Sequence, residues 1–137
     1  MARTLVICKP DAVERGLAGE ILGRLERKGL VLVAAELRAI SDDVARRHYA
    51  EHEGKPFFAD LVAFITRTPA LLLVVEGPGE ETWRVVRTLM GPTDPAQAPP
   101  GTIRGDLGLR LTENLVHGSD APESAAREIE LFFPGLG

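Results

Sequence analysis

Four short apolar segments, separated by stretches of helical character, constrain the fold of this 137-residue chain more than any other feature. Each has the length and the Val, Ile or Leu content of a buried strand. They are TLVIC (4–8), LVLVAAEL (30–37), ALLLVVEG (70–77) and ENLVH (113–117). Apolar spacing and cap residues predict helices at 19–29, 41–52, 57–67, 80–91 and 121–133. The resulting order is β-α-β-(αα)-β-α-β-α.

This order predicts a ferredoxin-like α+β fold, a βαββαβ sandwich in which a four-stranded antiparallel sheet carries packed helices and some added ones. A parallel, doubly wound sheet is the alternative. The length indicates a single domain over residues 1–137, and no internal repeat, linker or low-complexity segment divides the chain.

Composition excludes several classes of function. The net charge of −4 argues against nucleic acid or a membrane surface as the main partner, although a few arginines in one cleft can still bind a small anion. Cys8 is the only cysteine, so neither an intrachain disulfide nor a cysteine metal cluster is expected. The longest apolar run, ALLLVV, is too short to span a bilayer, and the N-terminus lacks a signal-peptide core. We therefore expect a cytoplasmic protein.

The glycine-rich phosphate-binding motifs are absent. The chain has no GxxxxGK[ST], no GxGxxG after a strand and no GxSxG nucleophile motif. His48 and His52 are four residues apart, a spacing that can bind a metal on a helix, but no third ligand accompanies them. No protein metal ligand is therefore expected. A phosphorylated ligand would have to be held by positively charged side chains.

The stretch NLVHGSDAPES (114–124) places His117 just before the predicted last helix. Asp120 and Glu123 have the spacing of a capping box, and Pro122 suits a first helical turn. Such a terminus favours a nearby anion, and a neutral imidazole is a competent nucleophile toward a phosphoryl group. The alternative is a surface-turn histidine without chemistry.

Glu128 shares a helix face with Ala121, Ala125 and Phe132, which indicates that its carboxylate points inward. A buried carboxylate needs a partner, and His117 is the simplest one at that end of the sheet. Glu128 would then fix the tautomer and the orientation of the imidazole. Alternatively, it lies at the boundary of the core and is solvated.

Four segments together resemble the nucleoside diphosphate kinase family. The stretch 114–129 resembles the family signature Asn-x-x-His-Gly-Ser-Asp and the helix with a Glu that follows it. The other three are TLVICKPDAVERGLAGEIL (4–22), HYAEHEGKPFF (48–58) and MGPTDPAQAPPGTIRGD (90–106). The matches cover nearly the whole chain in order, so they are more specific together than any one motif alone.

The resemblance implies a ferredoxin-like fold and phosphoryl transfer by a ping-pong route. The γ-phosphoryl group of a nucleoside triphosphate, mainly ATP, would pass to His117, and the phosphohistidine would pass it to a nucleoside diphosphate. Mg²⁺ is expected through the nucleotide phosphates, because their charge needs neutralising. The family maintains cellular (d)NTP pools and forms homo-oligomers, and a hexamer is expected here over a tetramer. The proline-rich segment 92–106, predicted as a stiff loop, is the expected contact region.

The family's functional residues map onto matching positions of this chain. Side chains expected to bind the nucleotide and its phosphates are Lys9, Phe57, Arg87, Thr93, Arg104 and Asn114. Those expected to position the histidine and the phosphate are Tyr49, Ser119 and Glu128. Lys9 would contact the transferring phosphate, and Phe57 would stack on the base. Because every base has a π-face, broad base and sugar specificity is expected.

The chain departs from the family pattern at two places. The segment before the helix that bears Arg87 is about two residues longer than usual, so Arg84 is an alternative phosphate ligand; Arg87 is preferred because it precedes Thr93 by six residues. Glu113 occupies a position where variation is expected. Two other functions stay open: a protein histidine phosphotransferase, and a binding module that has lost its chemistry.

Overall fold

A computed structural model describes residues 1–136 of the chain. Its strands are β1 (Ala2–Cys8), β2 (Val31–Arg38), β3 (Ala70–Gly77) and β4 (Val116–Gly118). Its α-helices are α1 (Pro10–Glu14), α2 (Ala18–Lys28), α3 (Asp42–His48), α4 (Phe58–Thr66), α5 (Thr82–Met90), α6 (Ile103–Leu107) and α7 (Pro122–Phe132). Short 3₁₀ helices occupy Ala50–His52 and Pro95–Gln97. None of the helices within residues 1–136 is both long and apolar enough to cross a membrane.

The four strands form one sheet in the order β2-β3-β1-β4. β1 pairs antiparallel with both β3 and β4, and β2 pairs antiparallel with β3. The predicted ferredoxin-like α+β fold is therefore confirmed, and the parallel alternative is wrong. The arrangement puts the two most buried strands, β1 and β3, at the centre of the sheet and leaves β2 at one edge.

Helices cover both faces of the sheet. In β1, Val6 and Cys8 face α2, α5 and α6, whereas Leu5 and Ile7 face α3, α4 and α7. All four side chains are fully buried. Because successive residues of a strand point to opposite faces, a strand covered on both sides needs a continuous apolar run. This explains the uninterrupted apolar segments in the sequence.

Several helix ends follow the local signals in the sequence. α2 ends before Gly29, which has the left-handed φ of 107° expected of a C-cap. α3 begins after Ser41, whose hydroxyl oxygen accepts a hydrogen bond from the Val44 N–H. The predicted helix 41–52 nevertheless stops at His48, and a 3₁₀ helix follows Tyr49.

The segment 92–106, predicted as a loop, contains a 3₁₀ helix and the start of α6. Asp94 accepts a hydrogen bond from the Ala96 N–H, and the Thr102 hydroxyl accepts one from the Gly105 N–H. These caps allow short helices in a stretch whose prolines interrupt any longer one. α6 carries Arg104 into the interior, where 5% of its surface is exposed.

The chain on either side of the last strand also differs from the prediction. The Lys-Pro-Asp stretch ends β1 as expected, but it also begins α1, with Pro10 in the first helical turn. β4 begins only at Val116 rather than at residue 113. Leu115 has a φ of 75°, and its N–H donates to Asp11 Oδ2 instead of joining the sheet.

The capping box predicted for α7 is wrong. The N-cap is Ala121, in extended conformation and without a capping side chain, and Pro122 opens the helix. Asp120 therefore lies one position too early to cap the backbone. Its Oδ1 accepts a hydrogen bond from the Ser124 hydroxyl instead, at 2.6 Å.

Gly105 provides a test of the packing around α6. A Cβ atom there would lie 2.0 Å from the Pro99 carbonyl oxygen, a backbone atom that cannot rotate away. We expect Gly105→Ala to lower the free energy of unfolding by roughly 3 kcal/mol, because the backbone must shift. Gly19→Ala is the control, because its Cβ meets no atom within 4 Å. Its free energy of unfolding should rise by about 0.5 kcal/mol. Urea unfolding measures both, and a Gly105→Ala protein as stable as wild type would contradict the packing described.

Candidate active site

His117 lies in the middle of β4, opposite Ile7 of β1, and 22% of its side chain is exposed. Its Nε2 is 2.8 Å from Oε1 of Glu128 on α7. A carboxylate oxygen only accepts hydrogen bonds, so Nε2 carries the proton and Nδ1 keeps a free lone pair. The contact predicted between His117 and Glu128 is thus present, and Nδ1 is the ring nitrogen that it leaves free.

The Glu128 carboxylate is buried, with 4% of the residue exposed. Burial by itself raises its pKa, but hydrogen bonds from His117 and from the Ser119 hydroxyl outweigh that effect and hold the pKa below its ordinary value. The carboxylate is therefore ionised at neutral pH. Glu128 shares its buried helix face with Ala125 and Phe132, as the sequence predicted, so the solvated alternative is excluded.

Lys9 and Asn114 meet beside the histidine. The Lys9 ammonium donates to Asn114 Oδ1 at 3.0 Å, and Asn114 Nδ2 donates to the Thr93 carbonyl at 3.1 Å. Burial lowers the pKa of Lys9 to about 8; the positive charge of Arg104 acts in the same direction, and Asp11 opposes it. Three of the predicted phosphate-binding residues are thus brought together by direct contacts.

Arg104 uses its guanidinium to hold the backbone. Nε donates to the Asn114 carbonyl at 3.1 Å, Nη1 to Gly91 at 3.0 Å and Nη2 to Val116 at 2.7 Å. Burial and the charge of Arg87 lower its pKa to about 10, so it remains charged at neutral pH. Arg104 does not itself line the cleft in front of His117. The sequence did not indicate this, because it predicted Arg104 as a phosphate ligand.

The structure distinguishes Arg87 from Arg84. Arg87 donates to the Gly118 carbonyl at 2.9 Å and lines a cavity of about 160 Å³ that also borders His117. Arg84 is exposed and pairs with Glu81 at 2.7 Å. Only Arg87 is therefore placed beside the histidine, in agreement with the spacing argument.

A cleft of about 730 Å³ opens in front of His117, within the size range of small-molecule sites. It brings together predicted residues from distant parts of the chain: Lys9, Tyr49, Phe57, Thr93, Asn114 and His117. Phe57 is 44% exposed, although it is a large apolar residue. Burial raises the Tyr49 pKa to about 12, so its hydroxyl stays protonated.

The sequence reasoning missed Leu111, which lines the same cleft and is 57% exposed. It also missed four neighbours on and after α4, which are Asp60, Leu61, Phe64 and Arg67. The only signal for Leu111 was an apolar residue in a polar stretch before Asn114. That signal does not separate a ligand-facing residue from an ordinary exposed one.

His48 packs against His117 from a buried position. Its ring centre is 4.7 Å from that of His117 and 5.3 Å from that of Phe132, in edge-to-face arrangements. Within residues 1–136 neither ring nitrogen has a hydrogen-bond partner. Burial, and secondarily the neighbouring His117, lower its pKa from the ordinary 6.5 to about 3, so the ring is neutral.

The possible metal pair of His48 and His52 does not form on one helix, because α3 ends at His48. His48 instead lies with His117 and Glu128, whose ligand atoms are all within 4.8 Å of one another. Arg87 and Arg127 line the same cavity, and both guanidinium groups can bind an anion there. The site is better suited to a phosphate.

Fold and site together define the class of the protein. It is a ferredoxin-like protein that presents a carboxylate-oriented histidine, with lysine and arginine nearby, at a cleft of nucleotide size. That combination suits phosphoryl transfer, in which catalysis consists mainly of positioning and charge stabilisation.

Comparisons with known proteins give the family. The family model of nucleoside diphosphate kinase matches residues 2–136. Nucleoside diphosphate kinases of Mycobacterium sp. (strain MCS) and Frankia casuarinae are 61% and 60% identical; the alignments cover 97% and 98% of this chain and 97% and 96% of theirs. The enzyme of Halobacterium salinarum, solved in complex with CDP, aligns with a TM-score of 0.91 at 53% identity, over 96% of this chain and 86% of that one. The chain belongs to the nucleoside diphosphate kinase family and is a phosphotransferase that acts between nucleotides.

His48 makes a testable contribution to the pH dependence of stability. The unfolded chain binds a proton at His48 below about pH 6.5 and the folded protein only below about pH 3, so stability is lost as pH falls between these values. We expect His48→Phe to reduce the dependence of the unfolding free energy on pH in this range by up to about 1.4 kcal/mol per pH unit. Urea unfolding at pH 8, 6, 5 and 4 measures it. At pH 8 the residue is neutral in both states, so the comparison there isolates packing. An unchanged slope in the variant would contradict this assignment.

Proposed function

We propose that this chain, as a single nucleoside diphosphate kinase domain over residues 1–137, transfers the γ-phosphoryl group of a nucleoside triphosphate, mainly ATP, to a nucleoside diphosphate. The reaction is ping-pong, with a phosphohistidine at His117 as the intermediate. The observation that carries the proposal is the 2.8 Å contact between His117 Nε2 and Glu128, which leaves Nδ1 free at the cleft. The cellular role is maintenance of (d)NTP pools.

In the first half-reaction, the Nδ1 lone pair attacks the γ-phosphorus, and the bond from that phosphorus to the β–γ bridging oxygen breaks. The nucleoside diphosphate leaves with the bond electrons. The phosphorylated ring keeps its Nε2 proton, and the Glu128 carboxylate stabilises the positive charge on the ring. In the second half-reaction, a terminal oxygen of another diphosphate attacks the same phosphorus, the P–N bond breaks, and Nδ1 regains its lone pair.

Positive charge around His117 stabilises the transferring group. Lys9 is the ammonium beside the cleft, and Arg87 lines the smaller cavity that borders His117. Arg104 is buried and does not line the cleft, but its charge acts on Lys9. Arg104 also fixes the backbone at Gly91 and at Asn114. Preorganised charges of this kind stabilise the developing negative charge of the transition state without rearranging.

Polar side chains complete the phosphate and histidine contacts. Thr93 and Asn114 bind the terminal phosphates and the sugar, from the cleft wall that they share with Lys9. Ser119 holds Glu128 in place through its hydroxyl, at 2.8 Å. Tyr49 follows the C-terminal end of α3, where it packs on His48, and positions the phosphate from there.

The base is held mainly by apolar contact. Phe57 and Leu111 are both exposed and line one cleft, so a planar base can lie against them without a dedicated set of hydrogen bonds. We therefore propose broad use of purine and pyrimidine, ribo and deoxyribo nucleotides.

Mg²⁺ enters with the nucleotide. Near the cleft, Glu128 already accepts hydrogen bonds from His117 and Ser119, and Glu113 pairs with Arg67, so these carboxylates do not offer a metal cage. The ion would then be held by the phosphates rather than by Glu128 or Glu113. When bound, it neutralises phosphate charge and polarises a phosphoryl oxygen.

The protein is proposed to act in the cytoplasm as a homo-oligomer, with a hexamer favoured over a tetramer, and with no membrane or specific nucleic-acid partner. The edge strand β2 supports assembly, because it exposes Val31 at 57% and Leu37 at 60%. The segment 92–106 remains the second candidate contact. Light scattering of the purified chain gives the mass, and a monomer would contradict the assembly.

The labelling of His117 tests the proposed function. With γ-labelled ATP and Mg²⁺, we expect an acid-labile label on the wild type and none on His117→Ala, because only the imidazole supplies the nucleophile. Unlabelled GDP, CDP or TDP should each remove the label. Scintillation counting after acid and alkali treatment measures it.

The other outcomes separate the alternatives. A label that no diphosphate removes indicates a protein phosphotransferase, and nucleotide binding without label indicates a binding module. A hundredfold difference in kcat/KM among the bases would contradict broad specificity.

Lys9 predicts an alkaline limit to activity. With a pKa of about 8 in the free protein, it loses its charge as pH rises through that value, and phosphate binding weakens. We expect kcat/KM of the wild type to fall above pH 8. In Lys9→Arg, this alkaline limb of the pH profile should shift to higher pH, because a guanidinium stays charged. Lys28→Arg, an exposed lysine of α2, is the matched control. An alkaline limb that does not move in Lys9→Arg would assign the limb to another group.

A further inference from the structure

Arg67 links two carboxylates at the rim of the cleft. It directly follows α4, and its guanidinium donates to both oxygens of Glu14, at 3.0 and 2.6 Å, and to Glu113 at 3.3 Å. Its guanidinium carbon lies 4.8 Å from the centre of the Phe64 ring. Arg67 and Glu113 both line the cleft, yet the phosphoryl transfer described above uses neither.

Glu113 matters because of the segment that it ends. Residues 109–113 run between α6 and Asn114 without regular secondary structure. For this segment, the pairing with Arg67 is the one hydrogen bond or ion pair to any residue within 1–136. The segment also carries Leu111, which is 57% exposed. Within the described residues, Arg67 is therefore the polar contact that joins this segment to the rest of the fold.

We propose that Arg67 is a positioning residue for the nucleotide base. By pairing with Glu113 it holds the 109–113 segment, and Leu111 with it, at the cleft wall that faces the base. Its two bonds to Glu14 anchor the guanidinium to α1, so the segment is tied to a helix that begins beside Lys9. This inference rests on the proposed function, because it takes the cleft to be the nucleotide site.

An electrostatic role for Arg67 makes a different prediction. If Arg67 only attracted the anionic nucleotide, Arg67→Ala would weaken binding, whereas Glu113→Ala, which removes a negative charge, would strengthen it. If the pair positions the segment, either substitution releases it and both weaken binding. The double variant should then lose no more nucleotide affinity than the single variant that binds less tightly. The reason is that the effects of two residues that act as one unit do not add.

The experiment compares KM and kcat for ADP in Arg67→Ala, Glu113→Ala and the double variant. GTP is the donor, so that the ATP formed reports the transfer. We expect each single substitution to raise KM about fivefold with kcat within about twofold of wild type, because His117 and Lys9 are untouched. Arg46→Ala is the matched control: Arg46 pairs with Asp42 at 2.6 Å and lies over the Phe58 ring, but it does not line the cleft.

Inhibition by inorganic pyrophosphate, which has no base, provides the second readout. Its inhibition constant in the variants should stay within about twofold of the wild-type value, since the 109–113 segment is proposed to contact only the base. Tighter ADP binding in Glu113→Ala, equal weakening of ADP and pyrophosphate, or an unchanged KM in Arg67→Ala would each overturn the proposal.

The proposed function can fail separately. If the wild type binds ADP but transfers no phosphoryl group, the dissociation constant from calorimetry replaces KM, and the same comparison decides the role of Arg67. If the wild type binds no nucleotide, both proposals fall.

Discussion

The hydrogen bond between His117 and Glu128 is the contact on which the rest of the site depends. It joins the last strand to the last helix, and Glu128 lies on the helix face that packs on the sheet. Burial alone would raise the pKa of that carboxylate, and the bonds from His117 and Ser119 reverse the effect. The packing of α7 therefore decides which ring nitrogen of His117 carries a proton, so the core and this histidine cannot be varied independently.

Two buried cations are held in different ways, and the difference suits their positions. Arg104 directs its guanidinium at three backbone carbonyls, which offset its burial and leave its pKa, about 10, well above neutral. The Lys9 ammonium donates to Asn114 Oδ1 and has a pKa of about 8. Arg104 thus fixes the backbone that carries Asn114 and β4, while the ammonium of Lys9 stays available at the cleft. Both side chains are charged at neutral pH, which favours an anionic ligand such as a phosphate beside them.

Local patterns in the sequence were sufficient for the strands, for the longer helices and for the inward face of Glu128, because each depends on spacing within one segment. They were not sufficient for α1 and α6, whose five residues each are too short to show a helical period. Contacts between distant segments were also out of reach. The carbonyl partners of Arg104, the exposure of Leu111 and the Glu14–Arg67–Glu113 network depend on how α4 and α6 meet the sheet, which no single segment encodes. The resemblance to a family named the ligand-binding positions, but not these contacts.

The site divides into a rigid part and an adjustable part, and the division follows what nucleotides have in common. The group that reacts is the same in every nucleotide. The residues proposed to act around it, His117, Glu128, Ser119 and Arg104, are tied to the core by hydrogen bonds at 2.7 to 3.1 Å. The base differs from one nucleotide to the next, and the wall proposed for it consists of two exposed side chains, Phe57 and Leu111. Geometry within fractions of an ångström is required where a phosphoryl group moves. A base ring has only to be covered, so a looser apolar contact is sufficient for it. Such a contact is also preferable where different bases have to be accepted.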